Sequence, residues 1–107
     1  MVRCGVMALA AALMAGPAIA QNLPGDPVQG RIIAERWCAS CHVVSPRPVG
    51  PVGDGATPFQ TIADRAATTA LSLRAFLASP HGRMPDLTLT RAEMDDLISY
   101  ILSLRRP

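Results

Sequence analysis

The chain has 107 residues, half of them hydrophobic, with ten basic residues against eight acidic ones and a formal net charge of +2. That length sets a single domain as the expectation, and a charge so small and scattered excludes a nucleic-acid-binding surface.

Arg3 precedes an unbroken apolar run from Val6 to Ala15, and Ala18-Ile19-Ala20 is a small-x-small cleavage site ahead of Gln21. This is the pattern of a secretory signal peptide over residues 1–20, which leaves residues 21–107 as the mature domain and places it in the periplasm. A retained membrane anchor is the rival reading. The stretch from Val6 to Ala20 is broken by Gly16 and Pro17 and falls short of the roughly 20 residues that cross a bilayer. No stable membrane insertion is expected after cleavage. Cys4 precedes the apolar run, where a lipid-carrying cysteine would not lie. A mature domain of this size has a small core and often relies on a staple or cofactor.

Asp26-Pro27-Val28-Gln29 reads as a helix start: Asp26 caps, Pro27 suits the first helical position, and Gln29 closes a capping box. The helix is expected from about Pro27 to Trp37, with Ile32, Ile33 and Trp37 as its apolar surface. Residues 43–57, rich in proline and glycine, form a loop. A short helix is expected over Phe59–Ala67 and another over about Leu71–Ala78, capped by Thr69 or Ser72 and stopped by Pro80. The apolar face of the latter is Leu73, Phe76 and Leu77. The last helix is the plainest, with Thr90-Arg91-Ala92-Glu93 as a capping box. Met94, Leu97, Ile98, Ile101 and Leu102 follow as a helical stripe. Arg105 and Arg106 fall at its C-terminal end, where positive charge suits the helix dipole. No strand shows convincing alternation, and the fold class is all-α.

Between the first helix and the loop stands Cys38-Ala39-Ser40-Cys41-His42. C-x-x-C-H is the attachment signature of c-type haem. Thiols at that spacing sit about one helical turn apart and can both reach vinyl groups on one haem edge. The histidine that follows can then bring an imidazole nitrogen to the iron. Three other readings compete. A disulfide between the two cysteines of an exported chain leaves His42 unexplained. A thioredoxin-like pair needs a βαβ setting that is missing. Zinc would have to use Cys38, Cys41, His42 and His81, but Cys41 and His42 are adjacent and no partner pair exists.

Taken together, these residues resemble the monohaem class I cytochrome c family, from about Gly25 to Arg105. In that family a glycine eight residues before the first cysteine, matched by Gly30, is crossed by an aromatic of the C-terminal helix, matched by Tyr100. A Gly-Pro after the haem motif, matched by Gly50-Pro51, offers the proline carbonyl to the proximal histidine. A Met-Pro near the start of the last helix, matched by Met84-Pro85, supplies the second iron ligand. The position four residues before Cys38, often aromatic in the family, is Ala34 here, and the loop between Pro51 and Phe59 is unusually rich in glycine.

The resemblance implies a small cytochrome c-like fold of three to four helices wrapped around one covalently bound haem c. Cys38 and Cys41 would hold the haem, with His42 as proximal and Met84 as distal iron ligand. Met84 lies in a proline-flanked loop; the bland alternative is a gap-filling methionine. His81 is a rival ligand three residues away, whereas Met94 lies on the stripe of the last helix and reads as core. Methionine ligation raises the potential. With both axial positions filled, the expected function is a periplasmic carrier of one electron, not an enzyme, working between redox partner proteins. The alternatives keep the haem: a small-ligand sensor or weak peroxidase with an open distal site, or a haem subunit of a periplasmic dehydrogenase.

Overall fold

The computed structural model describes residues 23–48, 55–79, 82 and 84–107. The expectations for residues 1–20, for Gly50-Pro51 and for His81 lie outside the described residues. Among the described residues there are four helices and no strand: α1 (Pro27–Trp37), α2 (Phe59–Asp64), α3 (Ala70–Ala78) and α4 (Arg91–Ser103).

α1 begins where Asp26 and Pro27 place it. The Asp26 carboxylate accepts from the Val28 amide at 2.8 Å. The capping box differs from expectation. Asp96, on α4, takes the Asp26 amide at 2.7 Å, so a distant residue does what Gln29 was expected to do. α1 buries its smallest residues, Gly30 and Ala34, and leaves Ile32 about half exposed. The cause is the crossing with α4. A Cβ on Gly30 would run into the Asp96 carbonyl and come within 2.7 Å of the Tyr100 Cβ. Such an approach admits only glycine, which explains why α1 carries a residue that costs a helix interior about 1 kcal/mol. Ala34 is wholly buried; an aromatic there has no room beside the same crossing.

α4 opens on the expected capping box: Thr90 accepts from the Glu93 amide, and the Glu93 carboxylate returns to the Thr90 amide at 2.8 Å. It supplies the centre of the core. Leu97 and Ile98 are fully buried, with Tyr100 and Ile101 beside them. The Tyr100 hydroxyl donates to the Val44 carbonyl at 2.6 Å, which ties the segment after the cysteine motif to the crossing. α3 is capped by Thr69, and Ser72 completes a reciprocal box.

α2 ends three residues before the expected Ala67 because Arg65 turns to extended backbone. Arg105 and Arg106 lie beyond α4, whose last turn carries no basic residue. They do not serve the α4 dipole as expected. They reach across to the end of α2, where Arg106 pairs with Asp64 and Arg105 takes backbone carbonyls.

Candidate functional site

A cavity of about 650 Å³ opens between all four helices, within the size range of pockets for organic cofactors. Each element contributes a wall. The turn after α1 brings Cys38, Cys41 and His42; α2 brings Phe59 and Ile62; α3 brings Leu73, Phe76 and Leu77. The loop after α3 brings Met84 and Pro85, and α4 closes the space with Leu97 and Ile101. Four residues singled out by sequence, Cys38, Cys41, His42 and Met84, therefore share one cavity although 42 positions separate His42 from Met84. Met94, expected in the core, is partly buried against it.

The motif turn is built by backbone bonding. α1 stops at Trp37, and the Cys38 amide still bonds the Ala34 carbonyl. The Cys38 carbonyl then accepts from both the Cys41 and the His42 amides, at 3.1 and 2.8 Å. This tight loop sets two thiols and an imidazole on the same side. Cys38 is buried and Cys41 exposed, and they are not bonded to each other. Burial pushes the Cys38 thiol up to about 11, the opposite of the lowered value that a catalytic thiolate needs. The thioredoxin-like reading also lacks its βαβ setting, since the described residues form four helices and no strand. Among the described residues no three histidine, cysteine or acidic side chains cluster as an ion site.

His42 is oriented from behind. Its Nδ1 lies 2.6 Å from the Thr57 carbonyl oxygen. A carbonyl only accepts, so in the neutral ring Nδ1 carries the proton and Nε2 keeps its lone pair. The family match put an acceptor at Pro51, which lies outside the described residues; the described acceptor is Thr57. Phe59 packs against the imidazole with ring centroids 5.3 Å apart, and its amide donates to the Val43 carbonyl at 2.9 Å. Sequence reasoning missed Thr57 and Phe59. The signal was present in Thr57-Pro58-Phe59: a proline before a short helix fixes the direction of the carbonyl ahead of it.

The cavity suits a large flat apolar group. Its walls are mostly apolar, and Arg65 is the one charged side chain among the described lining residues. Trp37 and Phe76 are each about half exposed at its margin. Thiols on one side, an imidazole lone pair and a thioether sulfur are a donor set suited to haem.

The family model for cytochrome c matches residues 28–105. The chain is 40% identical over 83 residues to cytochrome c-552 of Bradyrhizobium diazoefficiens, covering 78% of this chain and 79% of that protein. No solved structure matches. No described helix is long and apolar enough to cross a membrane. The protein carries covalently bound haem c, which the Cys38–Cys41 pair fits, and its function is haem-based electron transfer. The α1–α4 crossing through Gly30 and the cavity fed by Cys38, Cys41 and His42 are thus features of a chain that belongs to the cytochrome c family.

Proposed function

We propose that the mature domain is an exported one-electron carrier in which Cys38 and Cys41 hold the haem through thioether bonds while His42 and Met84 bind its iron. The observation that carries this reading is the meeting of these four residues in the lining of one cavity. Haem would supply the Fe(III)/Fe(II) couple, and a methionine ligand from Met84 would favour the reduced form. The chain supplies the rest. The turn over residues 38–42 presents both thiols, the Thr57 carbonyl aims the His42 lone pair, and the loop carrying Met84 brings sulfur from outside any helix. Pro85 restricts the backbone of that loop directly after the ligand. The apolar walls from α2, α3 and α4 keep the surroundings of the iron poor in water, which also raises the potential. With His42 and Met84 both holding the iron, no coordination site would be left for a substrate, which suits a carrier.

Export rests on Arg3, the run from Val6 to Ala15 and Ala18-Ile19-Ala20. Its test is the intact mass of the native protein, expected to begin at Gln21; a mass retaining residues 1–20 supports an anchor. The ligation test is the absorption spectrum of the purified holoprotein, oxidised, reduced and under carbon monoxide. A six-coordinate low-spin spectrum that resists carbon monoxide supports the carrier. A five-coordinate high-spin spectrum with rapid carbon monoxide binding points instead to a sensor or weak peroxidase.

A further inference from the structure

α2 is six residues long, and its N-cap, Pro58, makes no side-chain capping bond. A helix that short does not sustain itself, and its last carbonyls need partners from elsewhere. Those partners come from the chain that leaves α4. Arg105 Nε donates to the Ala63 carbonyl at 2.7 Å, and its Nη2 donates to the carbonyls of Arg65 (3.2 Å) and Thr68. One planar guanidinium thereby holds three carbonyls around the end of α2. Gln60 on α2 donates in return to the Leu104 carbonyl at 2.5 Å.

The opposite end of α2 meets His42. Thr57, just ahead of the helix, accepts from Nδ1, and Phe59 packs on the ring. α2 is therefore a short rod with one end at the imidazole and the other at Arg105. We propose that Arg105 is a positioning residue for the proximal side of the haem: by fixing the far end of α2 it fixes the Thr57 carbonyl against His42 Nδ1. This rests on the reading of His42 as the proximal ligand. A firm bond at Nδ1 makes the imidazole a stronger donor and favours Fe(III). Loosening α2 weakens that bond and raises the potential.

The sign separates this role from simple charge. Removing a positive charge near the haem lowers the potential, whereas releasing α2 raises it. Arg105→Lys keeps the charge and loses the fork, so its holoprotein should show a higher potential. In its reduced form the His42 Nδ1 proton should exchange with solvent about tenfold faster, the scale of one lost charge-assisted hydrogen bond in a local opening. The amide of Ile98, in the α1–α4 core, should exchange as before. Gln60→Met, which removes the second tie to the α4 exit, should move the same signal in the same direction by less, and covers the case in which Arg105→Lys yields no holoprotein. An unchanged potential and Nδ1 exchange in a folded Arg105→Lys holoprotein would overturn the proposal, as would equal acceleration at Nδ1 and Ile98. If the His42 ring of the unmodified protein shows no haem-induced shift, it is the proximal-ligand reading that fails.

Discussion

The α1–α4 crossing and the α2–α3 side of the cavity are held together by different means. At the crossing, backbones touch. Gly30 lies against Asp96 and Tyr100, Gly25 at φ +114 lies against Asp95, and Ala34, Leu97 and Ile98 are buried in the core. Across the cavity, α2 and α3 bury few side chains in the protein itself, chiefly Phe59, Ala63 and Leu73. Polar ties run from there to α4 and its exit: Arg74 to Asp95, Gln60 to Leu104, Arg105 to three carbonyls and Arg106 to Asp64. The crossing is a scaffold complete in protein atoms. The opposite wall presents Ile62, Phe76 and Leu77 to the cavity, so its apolar burial comes with the haem. Stability of one region should follow side-chain volume, and stability of the other should follow cofactor attachment.

The largest break is therefore chemical. Cys38→Ala combined with Cys41→Ala should yield no haem that survives denaturation and acid–organic extraction. Its helical circular dichroism should fall, with loss concentrated in α2 and α3. Colour that stays with the polypeptide of that double variant contradicts covalent attachment.

Gly30→Ala strikes the scaffold instead. The added methyl meets the Asp96 backbone, which cannot swing aside as a side chain could. Overpacking of this kind costs about 1–3 kcal/mol, more than the helix propensity that alanine gains. The denaturant midpoint of the holoprotein should drop, with the haem still attached. A midpoint at or above that of the unmodified protein would show that the helices are not in backbone contact.

Tyr100→Phe sharpens the same region. It leaves the ring in place and deprives the Val44 carbonyl of its 2.6 Å donor, a loss of about 1–2 kcal/mol at a buried site. Denaturant unfolding should report it without any change in the haem spectrum.

The smallest effects belong to the exposed polar ties and are read by pH. Bonds from Thr90 hold the Glu93 carboxyl below its ordinary value, and Arg106 does the same for Asp64. Both folded values are depressed. Their contributions are thus present above the ordinary carboxylate range and fade as the pH falls through the folded values. Amide exchange at the start of α4 should quicken over that acid window, and Glu93→Gln should flatten the dependence.

The two regions were unequally legible in the sequence. α1 and α4 start where Asp26-Pro27 and Thr90…Glu93 place them, because caps are local chemistry. The C-x-x-C-H turn was legible for the same reason, since a short spacing carries its own geometry, whereas the Gly30–Tyr100 pairing was legible only through the family resemblance. What escaped were mainly bonds between residues far apart in the chain. Nothing near Asp26 announces that Asp96 will take its amide, and nothing near Ala63 announces Arg105. Arg105 and Arg106 looked like dipole partners of α4 because they follow it in sequence. Ile32 and Trp37 marked α1 as amphipathic, yet the close crossing favours the smallest side chains: Ile32 is left about half exposed, and Trp37 lies at the margin of the cavity. The Thr57 carbonyl at His42 was missed although Thr57-Pro58-Phe59 carried its signal, because the family match drew attention to Pro51 instead.

The proposed role of Met84 as the second iron ligand is tested most directly by one variant. In Met84→Ala the methionine–Fe(III) charge-transfer band at the red edge of the oxidised spectrum should vanish. The potential should fall, and carbon monoxide should bind the reduced protein faster as water or His81 takes the position. A Met84→Ala holoprotein that keeps the band and the potential contradicts the assignment, and His81 then becomes the first ligand to replace.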